Sequence, residues 1–255
     1  MPEDLRDKTA LVTGGARRIG KAISLRLASE GARVVLTYRR SEVEARATVR
    51  EIESRGGRAI AVPADLSRAE DLDRLVREAR GPSGGVDVLV NNASDFAATP
   101  AEALASDPRE FERAFERFAS VHVRAPLYLG LRLGLEMKRR GWGRIVNIAD
   151  RVPHAGRAYR DWSLYLVTKY GLEGVTRVLA VELAPEVTVN AVAPGLALPP
   201  EGMTAEEVER LARKVPLEAP SGPEEIAEDV LYLIRSEFKT GSTILTDGGA
   251  GLEAR

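Results

Sequence analysis

The sequence contains no cysteine, which excludes disulfide bonds and thiolate-bound metals. It has only two histidines, His122 and His154, so a histidine-rich metal site is excluded too, and we expect no metal. The formal net charge is −1, and basic residues are matched by acidic ones, which argues against a nucleic-acid or anionic-membrane partner. No apolar run is long enough to cross a bilayer, and the N-terminal "MPEDLRDKTA" lacks the apolar core of a signal peptide. We therefore expect a soluble, cytoplasmic protein.

The sequence does have a regular alternation of strand-like and helical segments. Amphipathic helical segments include Lys21–Ser29, Glu42–Ser54, Ala69–Ala79 and Phe111–Arg139. This alternation predicts an α/β protein whose parallel, doubly wound sheet has helices on both faces. No linker or repeat divides the chain, so we predict a single domain over residues 1–255. The apolar, strand-like runs are Thr9–Thr13, Arg33–Tyr38, Ala59–Pro63, Asp87–Val90, Arg144–Ile148, Thr188–Ala193 and Ser242–Leu245.

The least regular segment runs from Pro194 to Gly222 and is rich in proline and glycine. A short helical piece lies within it, around Thr204–Arg213. Ligands of open α/β sheets bind at the carboxyl ends of the strands. An irregular segment after a late strand is therefore well placed to cover a ligand, and we predict a substrate lid at about residues 195–222.

The stretch from Thr13 to Gly20, with the sequence TGGARRIG, joins the first strand-like run to the first helical segment. In dinucleotide-binding folds, the phosphate-binding turn lies at this position, and its glycines let the backbone approach the pyrophosphate. Here, however, Arg17 and Arg18 stand where small residues are expected. Because the spacing is not G-x-G-x-x-G, an ordinary strand–helix turn remains an alternative at this point.

The end of the second strand-like run carries Tyr38, Arg39, Arg40 and Ser41, with no carboxylate until Glu42. NAD-specific sites place an acidic residue there to bind the ribose hydroxyls. A guanidinium instead suits a 2′-phosphate, with which it can pair through two hydrogen bonds. A solvated basic patch is the alternative, but cations are mildly unfavourable at a helix N-terminus. The pattern therefore favours NADPH over NADH.

Polar residues also follow the third and fourth strand-like runs. Asp65 in "PADLS" either caps the next helix, as Ser67 also could, or contacts the adenine. The paired Asn91 and Asn92 either build a turn or fix the chain crossover beside the cofactor with their amides. We favour the second interpretation of the asparagines.

Tyr165 and Lys169 have the i, i+4 spacing that places two side chains on one face of a helix. A phenol is a weak acid near neutral pH, and a neighbouring ammonium is expected to lower its pKa. Asp150 follows the fifth strand-like run and is expected at the same edge of the sheet. Taken alone, the Tyr–Lys spacing also fits a simple surface pair.

Taken together, the motifs resemble those of the classical short-chain dehydrogenase/reductases. They are T-G-x-x-x-x-I-G, N-N-A, Y-x-x-x-K, Asn190 followed by Pro194 and Gly195, and the closing "LTDGG", in matching order over nearly the whole chain. The resemblance implies a seven-stranded Rossmann fold and a homotetramer assembled through the long helices and the C-terminal region. It also implies hydride transfer from a nicotinamide to a carbonyl or imine carbon. Tyr165 would be the acid, and Lys169 would bind the nicotinamide ribose.

Three departures from the usual family pattern point to its pteridine reductase branch. Arg18 replaces the second motif glycine, Ser94 with Phe96 follows the N-N-A motif, and Asp150 replaces the usual serine. In that branch the arginine reaches the cofactor phosphate and the substrate, while the serine and phenylalanine hold a pterin against the nicotinamide. A flat polar heterocycle needs an aromatic face and hydrogen bonds at its edge, which agrees with these residue types.

One feature departs from the family pattern. His122 stands where most members have an asparagine that holds a water between the active-site lysine and solvent, so a proton relay at this position is in doubt. The loop "RVPHAGRAYRDWSL" before Tyr165 is also two residues longer than expected. Its His154, Tyr159 and Trp162 either line the site or simply pack at the surface.

We therefore predict an NADPH-dependent, pteridine reductase-like enzyme with a small-molecule substrate. A carbonyl reductase such as a 3-oxoacyl-carrier-protein reductase is the alternative, and a nucleotide-binding regulatory protein is a third possibility that the intact Tyr–Lys pair disfavours. The predicted catalytic residues are Asp150, Tyr165 and Lys169. The predicted cofactor-binding residues are Gly14, Arg17, Arg18, Ile19, Tyr38, Arg39, Arg40, Ser41, Asp65, Leu66, Asn92, Ala93, Ser94, Tyr165, Lys169, Pro194 and Gly195. The predicted substrate-binding residues are Arg18, Ser94, Phe96, Asp150 and Tyr165.

Overall fold

The computed structural model describes residues 5–81, 84–155, 158–199 and 202–252. The ends of the predicted domain, residues 156–157 of the loop before Tyr165 and residues 200–201 of the predicted lid lie outside these described residues. Within them, seven strands form one parallel sheet in the order β3-β2-β1-β4-β5-β6-β7. The strands are β1 Thr9–Val12, β2 Arg33–Tyr38, β3 Arg58–Pro63, β4 Val88–Asn91, β5 Gly143–Ile148, β6 Val187–Pro194 and β7 Thr243–Thr246.

Helices connect the strands along the chain, as parallel neighbours require. None of the helices in the described part of the chain is both long and apolar enough to cross a membrane. The helices are α1 Arg18–Ser29, α2 Glu42–Ser54, α3 Ala69–Glu78, α4 Ala101–Ser106, α5 Pro108–Ala119, α6 Ala125–Arg139, α7 Val152–Ala155, α8 Ser163–Leu183, α9 Ala205–Ala212 and α10 Gly222–Arg235.

Both faces of the sheet are covered, as the near-continuous apolar strands require. Alternate residues of one strand enter opposite cores: Val34 and Leu36 belong to the first core and Val35 to the second. The first core contains buried side chains of α1, α2 and α10, and the second those of α3, α6 and α8. The prediction of a seven-stranded, doubly wound Rossmann fold with helices on both faces is therefore confirmed.

The predicted continuous helix Phe111–Arg139 is wrong in one respect. The structure has α5, then a π-helical turn over Ser120–Arg124, then α6. Pro126 lies in the first turn of α6 and has no N–H to donate to the carbonyl four residues earlier. An uninterrupted α-helix would also bring its ring against that carbonyl, so the ladder is interrupted there. The widened turn carries His122 into the interior, where its side chain is buried.

The strand order creates a crevice at the carboxyl edge of the sheet. β1 pairs with β2 on one side and with β4 on the other, so the chain leaves β1 and β4 in opposite directions. Ligands of such folds bind at this reversal of strand order. The segments that follow β1, β4, β5 and β6 all start at this edge of the sheet, and the N-terminal part of α8 lies beside them.

Candidate active site

The turn after β1 and the loop after β4 are joined by hydrogen bonds through Asn92. The Asn92 side-chain amide donates to the carbonyl oxygens of Thr13 at 2.9 Å and Gly14 at 3.1 Å. In return the Thr13 hydroxyl accepts from the backbone N–H groups of Asn92 at 3.0 Å and Ala93 at 3.1 Å. The amide thus fixes the two loops against each other at the strand-order reversal, as predicted for Asn92. Asn91 instead donates to the Asn147 side chain inside the sheet.

Two glycines are required by this close approach. Gly14 has a φ of +62°, in the left-handed region that favours glycine. A Cβ on Gly20 would lie 2.2 Å from the Gly14 carbonyl oxygen and 2.5 Å from the Asn92 amide nitrogen. The helix α1 therefore begins directly against the turn, and its N-terminus faces the crevice. A helix N-terminus so placed attracts an anion such as a pyrophosphate.

Arg18 occupies a conformation that the backbone would more readily give to glycine. Its φ is +54°, and a non-glycine residue there is uncommon. Its guanidinium donates to the carbonyl oxygens of Leu198 at 3.5 Å and Pro199 at 3.0 Å. Arg18 therefore connects the first turn to the segment after β6, within the predicted lid. Arg17 beside it is exposed, and Ile19 is partly buried against the first core.

The ends of β2 and β3 form a second, basic part of the crevice. Arg39 and Arg40 are exposed, and Ser41 immediately precedes α2. The Asp65 carboxylate accepts hydrogen bonds from the Ser67 N–H at 3.0 Å and hydroxyl at 2.7 Å. Burial alone would raise the pKa of Asp65, but these hydrogen bonds and the nearby Arg39 charge lower it. Asp65 thus closes the turn before α3, but neither it nor Ser67 caps the helix, whose N-cap is Arg68 with no side-chain cap hydrogen bond, so the capping interpretation is wrong.

The predicted catalytic residues lie together between β5 and α8. The Tyr165 hydroxyl donates to the Asp150 carboxylate at 2.7 Å, and the other oxygen of Asp150 accepts from the Val152 N–H at 2.9 Å. The Lys169 ammonium is fully buried and donates to the Ile148 carbonyl at 2.9 Å. Its nitrogen lies 5.7 Å from the centre of the Tyr165 ring. The residue that follows β5 by two positions and two residues of α8 therefore meet as an Asp–Tyr–Lys set.

The pKa values in this set differ from the simple expectation for a Tyr–Lys pair. Burial, the Asp150 charge and the Asp150 hydrogen bond raise the pKa of Tyr165 well above its usual value. The expectation that the ammonium lowers the pKa of Tyr165 is therefore wrong, because burial and the adjacent Asp150 carboxylate both raise it. Burial lowers the pKa of Lys169 to about 8, although the charges of Asp150 and Glu173 oppose this. At neutral pH the phenol is thus a protonated acid beside an ammonium.

An aromatic cluster adjoins the Tyr165 hydroxyl. The rings of Phe96 and Trp162 stack, with centroids 4.2 Å apart and planes 30° from parallel. Both rings meet Tyr165 edge to face, at centroid distances of 5.1 and 5.9 Å. Phe96 is 57% exposed, so part of its ring is accessible beside Tyr165. Sequence reasoning left Trp162 between site and surface, and the structure brings it to the site.

Behind Ser94 lies the buried His122. Its Nε2 is 2.8 Å from the Ser94 hydroxyl and 3.2 Å from the Asp95 backbone nitrogen, and its Nδ1 is 2.8 Å from the Thr168 hydroxyl. Burial and the Lys169 charge lower the pKa of His122 to about 2. Sequence reasoning noted the departure from asparagine but did not predict these contacts. The surrounding pattern gives no signal for them, because they depend on the π-helical turn.

The remaining predicted residues take more peripheral places. His154 pairs with the buried Glu173 at 3.0 Å, and Tyr159 contacts Arg151, so neither reaches the aromatic cluster. Tyr38, Leu66, Ala93, Pro194 and Gly195 line strand ends along the same edge. Pro194 ends β6. A Cβ on Gly195 would lie 2.7 Å from Asp247, so the residue that follows β6 lies close against the residue that follows β7.

Comparison with known proteins identifies the family of this chain. The model of the short chain dehydrogenase family matches residues 8–210. The chain belongs to the short-chain dehydrogenase/reductase family. Curated members of the family include 3beta-hydroxysteroid dehydrogenase 1 of Eggerthella lenta, which is 34% identical over 99% of this chain and 97% of its own length. The granaticin polyketide synthase putative ketoacyl reductase 2 of Streptomyces violaceoruber is 36% identical, over 95% of this chain and 96% of its own.

Solved structures of family members superpose over nearly the whole chain. The FolM alternative dihydrofolate reductase 1 of Brucella suis, in complex with NADP, has a TM-score of 0.86 and 36% identity, covering 98% of both chains. The corresponding Brucella canis protein, also complexed with NADP, has a TM-score of 0.87 and 36% identity, covering 99% and 97%. A short-chain dehydrogenase/reductase from Serratia marcescens has a TM-score of 0.86 and 34% identity, covering 98% and 100%. As a member of this family, the chain is an oxidoreductase.

Proposed function

We propose that this short-chain dehydrogenase/reductase uses NADPH to reduce a C=N bond of a dihydropterin or dihydrofolate-type substrate. The observation that carries the proposal is the 2.7 Å hydrogen bond from Tyr165 to Asp150 beside the stacked Phe96 and Trp162. The pair supplies a proton donor held by a carboxylate, and the aromatic side chains supply a flat apolar surface next to it. Family members in complex with NADP include an alternative dihydrofolate reductase, which agrees with this proposal.

The crevice suits NADPH in two places. The pyrophosphate would lie at the N-terminus of α1, where Gly14 and Gly20 leave the backbone accessible. The 2′-phosphate would lie against Arg39 and Arg40, which are exposed at the end of β2 with no carboxylate of that segment to repel it. Lys169 would bind the nicotinamide ribose. When bound, NADPH supplies the hydride that the substrate carbon accepts.

Residues of the chain itself would supply the proton that the substrate nitrogen accepts. Since the pKa of Tyr165 is raised, the hydroxyl is protonated at neutral pH, and its one proton points to Asp150, so the O–H would turn from Asp150 to the substrate nitrogen before the transfer. As hydride reaches the carbon, the ring nitrogen becomes strongly basic, the Tyr165 O–H bond breaks and an N–H bond forms. The Lys169 ammonium stabilises the phenolate that remains, and solvent returns a proton to it before the next turnover.

Asp150 also favours a pterin over a ketone. An ionised carboxylate only accepts hydrogen bonds, so it complements the N–H groups on the edge of a pterin. A ketone needs a donor at its oxygen, and a carboxylate there repels the negative charge that develops during reduction. Ser94 would contact the other edge of the ring, and Arg18 would reach the substrate and the cofactor phosphate from the first turn.

A carbonyl reductase remains the second candidate, because curated relatives include a putative ketoacyl reductase and a hydroxysteroid dehydrogenase. In that case Tyr165 would give its proton to the carbonyl oxygen. Asp150 would then hold only the tyrosine and would make no contact with the substrate.

An assay that follows NADPH oxidation by the purified protein should separate the two candidates. Dihydrobiopterin, dihydrofolate and acetoacetyl thioester are compared at equal concentrations, with Tyr165→Phe as the inactive control. We expect turnover of a pteridine substrate that Tyr165→Phe abolishes. Turnover of the thioester without any pteridine turnover would refute the pteridine proposal and support the carbonyl reductase.

Three further expectations belong to the same proposal. The segment at about 195–222, whose α9 begins with a Thr204–Glu207 capping box, would cover the bound substrate as a lid. The single domain would assemble into a homotetramer through α6, α8 and the C-terminal region, where several large apolar side chains are exposed. We also expect the enzyme to act in the cytoplasm.

A further inference from the structure

The loop that carries Ser94 and Phe96 is held by a buried histidine. His122 lies in the π-helical turn between α5 and α6, and its ring bridges this loop to α8. A π-turn adds a residue to a helix and redirects the side chains on it, and such turns occur often at functional sites. On the opposite side of the loop, Arg117 of α5 makes a two-point ion pair with Asp95, at 2.5 Å for each contact.

The hydrogen bonds determine which ring nitrogen carries the proton. The Asp95 backbone N–H can only donate, and it points at Nε2 at 3.2 Å, so Nε2 must be the unprotonated acceptor. The Ser94 hydroxyl therefore also donates to Nε2. The Thr168 hydroxyl donates to the carbonyl oxygens of Leu164 and Tyr165, so it accepts from Nδ1. Every partner is satisfied by the neutral, Nδ1–H form of the ring.

We propose that His122 is a positioning residue, locked as the neutral Nδ1–H tautomer, that fixes the Ser94 hydroxyl and the Asp95 backbone for the substrate. Its ring connects the residue before Lys169 with the loop that faces the substrate, so the two sides of the site keep a fixed separation. Because both nitrogens are occupied and the hydroxyl of Ser94 points toward Nε2, Ser94 presents an acceptor oxygen to the substrate. The inference rests on the proposed function only for the identity of that substrate.

The locked ring also cannot carry protons to or from the active site. The charged and titratable groups that face it are Lys169, whose ammonium disfavours a second positive charge, and Tyr165, whose ring meets it edge to face at 5.6 Å. A protonated ring would place a donor against the Asp95 N–H. Proton return to Tyr165 must therefore use another route, through the open side of the crevice.

Two variants test the contacts of the two ring nitrogens of His122 separately. His122→Gln places an amide oxygen near the position of Nε2 and keeps the acceptor for Ser94 and Asp95. His122→Asn reaches only as far as Nδ1 and keeps the Thr168 contact alone. We expect His122→Gln to hold the KM of the turned-over substrate within about threefold. We expect His122→Asn to raise it about tenfold or more, because the Ser94 hydroxyl and the Asp95 N–H both lose their acceptor. The NADPH dissociation constant should change little in either variant, and the pH profile of kcat should not shift.

The tautomer itself is measured without substrate, by nitrogen-15 chemical shifts of the imidazole between pH 5 and 9. Since the chain has two histidines, His154→Gln leaves one ring to observe. We expect a protonated Nδ1, an unprotonated Nε2 and no titration over this range. A ring that titrates, an Nε2–H tautomer, or a His122→Asn enzyme that outperforms His122→Gln would overturn the proposal. A failure of pteridine turnover alone would leave the nitrogen shifts unchanged and would count only against the proposed substrate.

Discussion

Replacing Arg18 separates what its side chain does from what its backbone does. At φ +54° the backbone of a non-glycine residue is strained by about 1 to 2 kcal/mol, and a glycine at the same φ has no such strain. Glycine, however, adds about 0.4 to 1 kcal/mol of unfolded-state entropy, and the exposed hydrogen bonds to the lid carbonyls contribute about 0.5 to 1.5 kcal/mol. We therefore expect Arg18→Gly to leave the free energy of unfolding within about 1 kcal/mol of the wild type.

Arg18→Ala is the matched variant, because it removes the guanidinium and keeps the backbone strain. It should destabilise the protein by the lost contacts alone, about 0.5 to 1.5 kcal/mol, which is a few degrees in melting temperature for a chain of this size. Its melting temperature should consequently lie below that of Arg18→Gly. Thermal unfolding followed by circular dichroism measures both differences.

In the enzyme assay the two variants should behave alike. If the guanidinium contacts the cofactor phosphate and the substrate, its loss removes charged hydrogen bonds of about 1.5 to 3 kcal/mol, a fall of about 10- to 150-fold in kcat/KM. The reasoning is refuted if Arg18→Gly keeps the wild-type kcat/KM, since the side chain would then only tether the lid. A large activity difference between the two variants would instead show that the backbone conformation, and not the charge, matters.

Three other changes test the rest of the crevice. Combining Arg39→Ala with Arg40→Ala should weaken NADPH binding by about 10- to 100-fold and leave NADH binding nearly unchanged, because only the 2′-phosphate contact is lost, as titrations of both cofactors would report. Gly20→Ala should lower stability by about 1 to 3 kcal/mol and impair cofactor binding, because the new methyl would meet backbone at 2.2 Å, as urea unfolding and NADPH titration would show. Lys169→Met should remove a pH dependence of the free energy of unfolding. The pKa of Lys169 is lowered to about 8 in the folded protein, so above pH 8 the unfolded chain binds more protons than the folded one. Wild-type stability should therefore rise relative to the variant above pH 8, by about 2 kcal/mol at pH 9.5.

The controls for these variants come from the same structure. Arg46→Ala removes an exposed arginine of α2 that pairs with Glu42, and it should not discriminate between the two cofactors. Gly174→Ala, inside α8, meets no atom within 4 Å and should be neutral or slightly stabilising. Equal losses of NADPH and NADH in the double arginine variant would mean that the end of β2 does not bind the phosphate. A wild-type stability that falls relative to Lys169→Met between pH 8 and 9.5 would contradict the buried ammonium.

Much of the fold could be predicted because parallel strands that are buried on both faces leave long apolar runs in the sequence. The seven predicted runs and the seven strands agree to within one residue at every end, and both ends of β2 agree without any difference. The π-helical turn could not be predicted, since hydrophobic periodicity over Phe111–Arg139 reads through it and only Pro126 hints at a break. In the same way, the spacing of Tyr165 and Lys169 predicts their shared helix face but not their pKa values. Those depend on the short distance from Tyr165 to Asp150, which is a tertiary contact.

The two tryptophans offer an optical consequence of the aromatic cluster. Trp162 stacks on Phe96 at the carboxyl edge of the sheet, whereas Trp142 precedes β5 at the opposite edge and lies between the cations of Lys8 and Arg144. A ligand that displaces or covers the Phe96 ring must change the emission of Trp162 and leave that of Trp142 constant. The chain thus carries one indole that senses its crevice and another that serves as an internal reference, so the protein would report ligand entry by fluorescence without any added label. A Trp142→Phe protein would isolate the signal of Trp162.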